Sequence, residues 1–249
     1  MKKMIALAMV MTMGLSLVAC GRSQQETSLA WKTDSLVRMS DSTLLIHMVY
    51  PVLTDTGAVA DSINRTVMGV IRSSFDEQDS LHGDYTLDQS IDSMMAYKNN
   101  DEYLRKMPYT FVSEGTAFRY DNVVTVWIQR YIFTGGAHGM TPSEFFNFDY
   151  SNGRRLTNDQ LFKDTAELCK LNRKAFNLYL EGKGITNPKQ ALFVSPDELP
   201  LPQNMGFDSV GLVMIYNQYE IAPYSFGLFV YSLPYDHVKS MFSDVVKGK

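Results

Sequence analysis

The sequence predicts an α+β fold: a mostly antiparallel sheet with helices packed on one face, in one or two subdomains. Three observations carry this. Strand-period and helix-period segments are mixed along the chain without regular βαβ alternation. The first two strands are separated only by Ser40-Asp41-Ser42, as in a hairpin. The 249 residues are 45% apolar and 20% charged, with 16 Gly and 9 Pro, a globular composition with enough apolar material for a real core.

Residues 1–20 are not part of that fold. Lys2 and Lys3 precede an apolar run from Met4 to Met13, and small residues lead to Cys20, the layout of a secretory signal. Thr12, Gly14 and Ser16 interrupt the run, so a membrane span of about 20 apolar residues is not expected. The ending Leu17-Val18-Ala19-Cys20 resembles the lipobox of bacterial lipoproteins. That resemblance implies cleavage before Cys20 and lipid on its sulfur, hence a membrane partner reached through the acyl chains. Residues 1–19 are then the signal peptide and residues 20–28, ending GRSQQETS, a lipidated polar tether.

Leu29 to Met39 and Thr43 to Leu53 read as a hairpin across Ser40-Asp41-Ser42. From Ala58 to Phe75, Val59, Ile63, Val67, Val70 and Ile71 fall on one helical face, with Asp55 or Thr56 as the cap. A polar break over 76–84 precedes a half-exposed helix, Leu87 to Lys106, closed by Pro108. Tyr109 to Tyr120 and Asn122 to Thr134 follow as strands. The second, containing VVTVWIQRYIF, is apolar on both faces and should lie deep in the sheet. Ser143 to Tyr150 is a further strand, stopped by Ser151-Asn152-Gly153.

Thr157 caps a short helix through Phe162, and a longer one runs from Thr165 to Leu180 with Gly182 and Gly184 stopping it. Four prolines between Asn187 and Gln203 mark a surface loop. Phe207 to Tyr216 and Phe226 to Leu233 complete the strands, and Pro234 opens a final helix to Val246. The domain boundary is expected near Lys106 to Tyr120, giving an N-terminal α+β subdomain over 29–115 and a C-terminal one over 116–249.

Charge and cysteine count exclude several functions. Lys plus Arg is 23 against 27 acidic residues, with no basic run, so a nucleic-acid partner is not expected. Without Lys2 and Lys3 there are 21 basic residues against 27 acidic, which disfavours electrostatic adhesion to anionic lipid. Two cysteines make neither a disulfide framework nor a Cys-rich zinc site, and Cys169 reads as a buried inert thiol on the side of Phe176 and Leu180. His47, His82, His138 and His237 are never three or four apart, so the sequence holds no local metal clamp and leaves only a site assembled in three dimensions; no metal or cofactor is assigned. Phe207-Asp-Ser-Val-Gly211 lacks the first Gly of a nucleophile elbow.

Two segments remain as candidates. Thr134-Gly135-Gly136-Ala137-His138-Gly139 leaves a strong strand with three glycines in five residues, which permits positive φ or close approach of a ligand. A tight structural connection is the competing reading. Tyr219-Glu220-Ile221-Ala222-Pro223-Tyr224 puts two aromatics, an acid and a proline between two strands, a composition suited to recognition or to a wide structural turn.

The segments Gly211-Leu-Val-Met-Ile-Tyr216-Asn-Gln-Tyr219-Glu220-Ile221-Ala222-Pro223-Tyr224-Ser-Phe-Gly227, Leu233-Pro234-Tyr235 and Tyr131-Ile-Phe-Thr134-Gly135-Gly136-Ala137-His138-Gly139 resemble domain of unknown function family 3298. That family occurs in the extracytoplasmic part of lysozyme-sensing anti-sigma factors and with peptidoglycan deacetylases. Tyr50-Pro51 and Ile63-Asn64 are similar to the companion N-terminal domain, family 4163. The resemblance implies an α+β fold at the cell wall and no catalytic residues. It leaves three expectations. The first is a non-enzymatic envelope lipoprotein binding a lysozyme-like protein or peptidoglycan through Gly135, Gly136, His138, Gly139, Tyr219, Glu220, Pro223 and Tyr224. The second is a wall hydrolase or deacetylase-associated module using His138 with Glu220. The third is a purely structural module.

Overall fold

A computed structural model describes residues 30–40, 43–75 and 85–248. The signal segment, Cys20, the tether, the hairpin turn at 41–42 and the polar break with His82 lie outside the described residues.

Among the described residues the fold is α+β, as expected: a six-stranded sheet, mostly antiparallel, and a three-stranded one. The first holds β1 (Trp31–Ser40), β2 (Leu44–Leu53), β3 (Tyr109–Tyr120), β4 (Val123–Phe133), β5 (Ser143–Asp149) and β6 (Arg155–Leu156) in sequence order. Every pairing in it is antiparallel except β2 with β3, where Leu44 lies beside Tyr109. A parallel neighbour needs a long crossover, supplied by α1 (Ala58–Ser73) and α2 (Leu87–Asn100).

The two helices cover one face. Ile63, Val67 and Ile71 of α1 and Ile91 and Met94 of α2 are buried against Ile46, Met48, Phe111, Val126 and Ile128. Burying each such aliphatic side chain contributes roughly 1.5 to 3 kcal/mol. Thr86 accepts from the Gln89 backbone while Gln89 reaches back, a capping box. At the start of α1 neither Asp55 nor Thr56 caps; Gly57 stands there with φ 121° and no side-chain bond. Asn64 of α1 instead grips the end of β2, accepting from Leu53 N–H at 2.8 Å and donating to Leu53 O at 3.0 Å. The expected long second helix stops at Asn100, and Leu104–Lys106 form a separate 3-10 turn.

The opposite face is covered over only half its length. Strands β7 (Asn204–Phe207), β8 (Gly211–Tyr216) and β9 (Phe229–Pro234) pair antiparallel in that order. Phe207 and Met205 pack with Val123, Leu161, Phe162 and Phe242. Phe207 N–H donates to Thr125 Oγ1 at 3.1 Å, and Asn147 Nδ2 to Met205 O at 2.8 Å, so the two sheets are cross-linked by polar bonds as well as by packing. The first four residues of β4 are therefore buried on both faces.

Helix α3 (Asn158–Leu161) carries the Thr157–Gln160 capping box, and α4 (Thr165–Gly182), capped by Asp164, packs Phe176 and Leu180 against Tyr216 and Phe229. Cys169 is half-buried, 3.6 Å from Leu199 O, less enclosed than its helical position suggested. The proline-rich loop contains α5 (Pro188–Ala191) and a 3-10 turn at Pro196–Glu198. Two other elements differ from the expectation. The strand read as Phe207 to Tyr216 is two strands, because Asp208 accepts from the N–H groups of Val210 and Gly211 and turns the chain. The two-residue strand β6 carries no periodicity of its own. The last helix is only α6 (Tyr235–Val238) with a 3-10 turn to Met241, after which Ser243 N–H bonds Leu161 O instead of continuing it. The boundary expected between residues 115 and 116 falls inside β3.

Candidate functional site

The loop from Thr134 to Gly139 is set by the strands it joins. Ile132 and Met140 exchange backbone hydrogen bonds at 2.9 and 2.8 Å, closing the β4–β5 hairpin. Inside it Gly135 and Gly136 take φ of 100° and 93°, which side chains other than glycine's resist. Gly139 has a different reason. A Cβ there would stand 2.6 Å from the Tyr131 ring and 2.8 Å from Ile132 O.

The second loop leaves β8 through Asn217. Its amide copies a strand residue: Ser143 N–H donates to Asn217 Oδ1 at 2.9 Å, and Asn217 Nδ2 donates to Ser143 O at 3.0 Å. Gln218 accepts from Thr141 N–H at 2.8 Å. These two amides tie the Tyr219–Tyr224 loop to the start of β5. Neither role is legible in the sequence, because an amide following a strand does not name the backbone it will meet.

The two candidate segments therefore meet. The His138 and Tyr224 rings stack with centroids 3.8 Å apart and 19° between planes. Tyr224 Oη donates to Gly139 O at 2.9 Å. His138 Nδ1 lies 3.1 Å from the same carbonyl, which can only accept, so Nδ1 carries a proton. Nε2 is then the acceptor in the neutral ring, and Tyr219 Oη stands 3.3 Å from it. Tyr219 has φ 66° and is 50% exposed, held out by a strained backbone. His138 and Pro223 are exposed, and Tyr224 is half-buried.

Glu220 does something else. Its carboxylate accepts from Asn217 N–H at 2.8 Å and Gln203 N–H at 3.4 Å, and burial pushes its pKa up. It braces the turn below the aromatic rings, and the partner at His138 Nε2 is Tyr219, not this carboxylate. Among the described residues no three His, Cys, Asp or Glu side chains gather as a metal site.

Strand register extends the exposed surface beyond the loops. Val37 pairs with His47, His47 with Val112 and Val112 with Tyr131, one row across the face opposite α1 and α2. Met39, Leu45, Thr110 and Phe133 make the next row. Neither row is under the three-stranded sheet: Val37 is 59% exposed and Met39 71%. Tyr131, at the end of the first row, touches the Gly139 position.

Two layers of helix and sheet, with a small second sheet carrying an aromatic loop onto the hairpin of the first, define an α+β protein with a preformed surface at the loop junction. Residues 159–236 match the model of the DUF3298 family, described as a protein of unknown function, and residues 38–141 match the Deacetylase PdaC domain. Strands β5 and β6 lie between the two matched spans. A crystal structure of a DUF3298 family protein from Pseudomonas aeruginosa PAO1 is similar at 16% identity, covering 86% of this chain and 95% of that one, with a TM-score of 0.64. A DUF3298 family member from Bacteroides fragilis is similar at 21% identity, with 88% and 98% covered and a TM-score of 0.60. No curated protein matches the chain. These domains are cell-envelope-associated, and the PdaC-like one points to an extracytoplasmic location. Among the described residues no helix is long and apolar enough to cross a membrane.

Proposed function

We propose that this protein is a non-enzymatic, lipid-anchored envelope protein that binds a wall-associated partner, a lysozyme-like protein or peptidoglycan, through the surface centred on His138, Tyr219 and Tyr224. The observation that carries the reading is the convergence of two distant loops into one exposed aromatic group whose members are fixed by hydrogen bonds before any partner arrives. Rigid aromatic area costs little entropy on binding, and the neighbouring row ending in Tyr131 widens the contact to protein-partner scale. The orientation of Glu220 supports binding over hydrolysis, since a His general base lacks its orienting carboxylate here.

Lipid on Cys20 would hold this surface near the membrane, because residues 21–28 reach at most about 27 Å when extended. The test is binding of the purified protein to lysozyme and, separately, to peptidoglycan fragments, alongside an assay for peptidoglycan turnover. Saturable binding lost in Tyr219→Ala and Tyr224→Ala, without turnover, is expected. Turnover abolished by His138→Ala overturns the reading in favour of the hydrolase, and neither binding nor turnover leaves a structural module.

A further inference from the structure

The outer edge of β5 is closed everywhere but at one residue. Arg130 N–H donates to Pro142 O at 2.9 Å, and Ile132 and Met140 bond reciprocally, so the even-numbered residues of the β5 arm turn their backbone groups toward β4. The odd-numbered ones turn outward. Thr141 and Ser143 are met by the Gln218 and Asn217 amides. Asn147 pairs with Leu156 of β6, and Asp149 N–H donates to Arg154 O at 2.9 Å. Phe145 falls between, and its outward N–H and C=O have no partner among the described residues.

That gap opens into a cleft of about 400 Å³ lined by Phe145, Glu144, Arg155, Gln203, Asn204 and Gln218. Its charge is one-sided. Glu144 is neutralised by its ion pair with Arg130. Arg155 has its guanidinium 4.7 Å over the Phe146 ring and no carboxylate partner among the described residues.

We propose that this cleft is a second binding site, which takes a short extended peptide with a free carboxylate: one peptide residue pairs with the Phe145 backbone, and the carboxylate bonds Arg155. The pairing is the one that the Asn217 amide imitates at Ser143, two residues upstream. A saccharide lacks an N–H and C=O at the spacing a strand edge presents, so peptide is the better fit. A guanidinium facing a carboxylate forms charge-assisted hydrogen bonds. The site goes beyond the partner-binding surface and uses none of its three rings.

The test follows the Phe145 amide of the ¹⁵N-labelled protein by NMR. The probes are acetyl-Ala-Ala-Ala with a free carboxylate, the same peptide amidated at its C-terminus, and the N-acetylglucosamine dimer. The acid should shift the Phe145 amide saturably. Affinity should fall about tenfold for the amidated peptide, and about tenfold for the acid in exposed Arg155→Gln, whose spectrum elsewhere stays unchanged. No shift at Phe145 at millimolar peptide, equal affinity for acid and amide, or a shift with the sugar alone overturns the proposal. Tyr219→Ala should leave this titration unchanged, so failure here and failure of the partner-binding reading are separable.

Discussion

His138 and Tyr224, far apart in sequence, stack at 3.8 Å and share the carbonyl of Gly139 as a common hydrogen-bond acceptor. One backbone oxygen thus fixes both rings, and the surface is built before a partner binds.

If that surface binds, its aromatic members are the anchors. Tyr219→Ala and Tyr224→Ala should each weaken partner binding by about 1 to 2 kcal/mol, with a smaller effect from His138→Ala. Isothermal titration with lysozyme and with wall fragments ranks the three. A ranking with His138 far ahead speaks for chemistry at its Nε2.

Gly139→Ala should destabilise the protein by about 1 to 3 kcal/mol, since the new methyl group meets both the Tyr131 ring and the Ile132 carbonyl. Gly136→Ala meets no atom within 4 Å and should cost only about 1 kcal/mol, from its positive φ. Urea denaturation of both variants checks the order; equal costs would mean that close approach at Gly139 is relieved by motion of Tyr131.

Asp149 gives the fold a pH dependence. Burial alone would raise its pKa, but bonds from the Ser151 N–H and hydroxyl and from the Asn122 and Asn152 amides prevail and hold it below the usual carboxylate range. A lowered folded pKa means that this stability is present above the unfolded carboxyl value of about 4 and is lost as pH falls through the folded value. Asp149→Asn should cost about 2 kcal/mol at neutral pH and flatten the acid limb of a stability profile. An unchanged limb would move the titration elsewhere.

Cys20→Ala should release the protein from membranes or leave it unprocessed, because lipid is the expected tether and the surface is acidic. Cell fractionation reads this directly. A processed variant that still sediments with membrane defeats the lipoprotein assignment.

The sheet was legible because its strands alternate or are uniformly apolar, and α1 because Val59, Ile63, Val67, Val70 and Ile71 keep a helical period. From the sequence, both loops are expected on strands of one sheet and so side by side; His138 does meet Tyr224, but the loops reach each other from two separate sheets, β4–β5 in one and β8–β9 in the other. What could not be read was decided at long range. The role of Asn64 depends on the end of β2, those of Asn217 and Gln218 on the start of β5, and β6 is too short to have a period. The helix expected through Val246 fails for the same reason: Ser243 bonds Leu161, a partner that local propensity does not contain.

The parallel joint between β2 and β3 also sets an order of events. Leu44 reaches Tyr109 only by closing a long stretch of chain, so loop closure is costly and few local contacts offset it in advance. The β1–β2 hairpin and the β3–β4–β5 meander can each form from near neighbours in sequence. Their union through α1 and α2 is then the natural rate-limiting step of folding, and until it happens β2 presents a bare strand edge to any other unfolded copy.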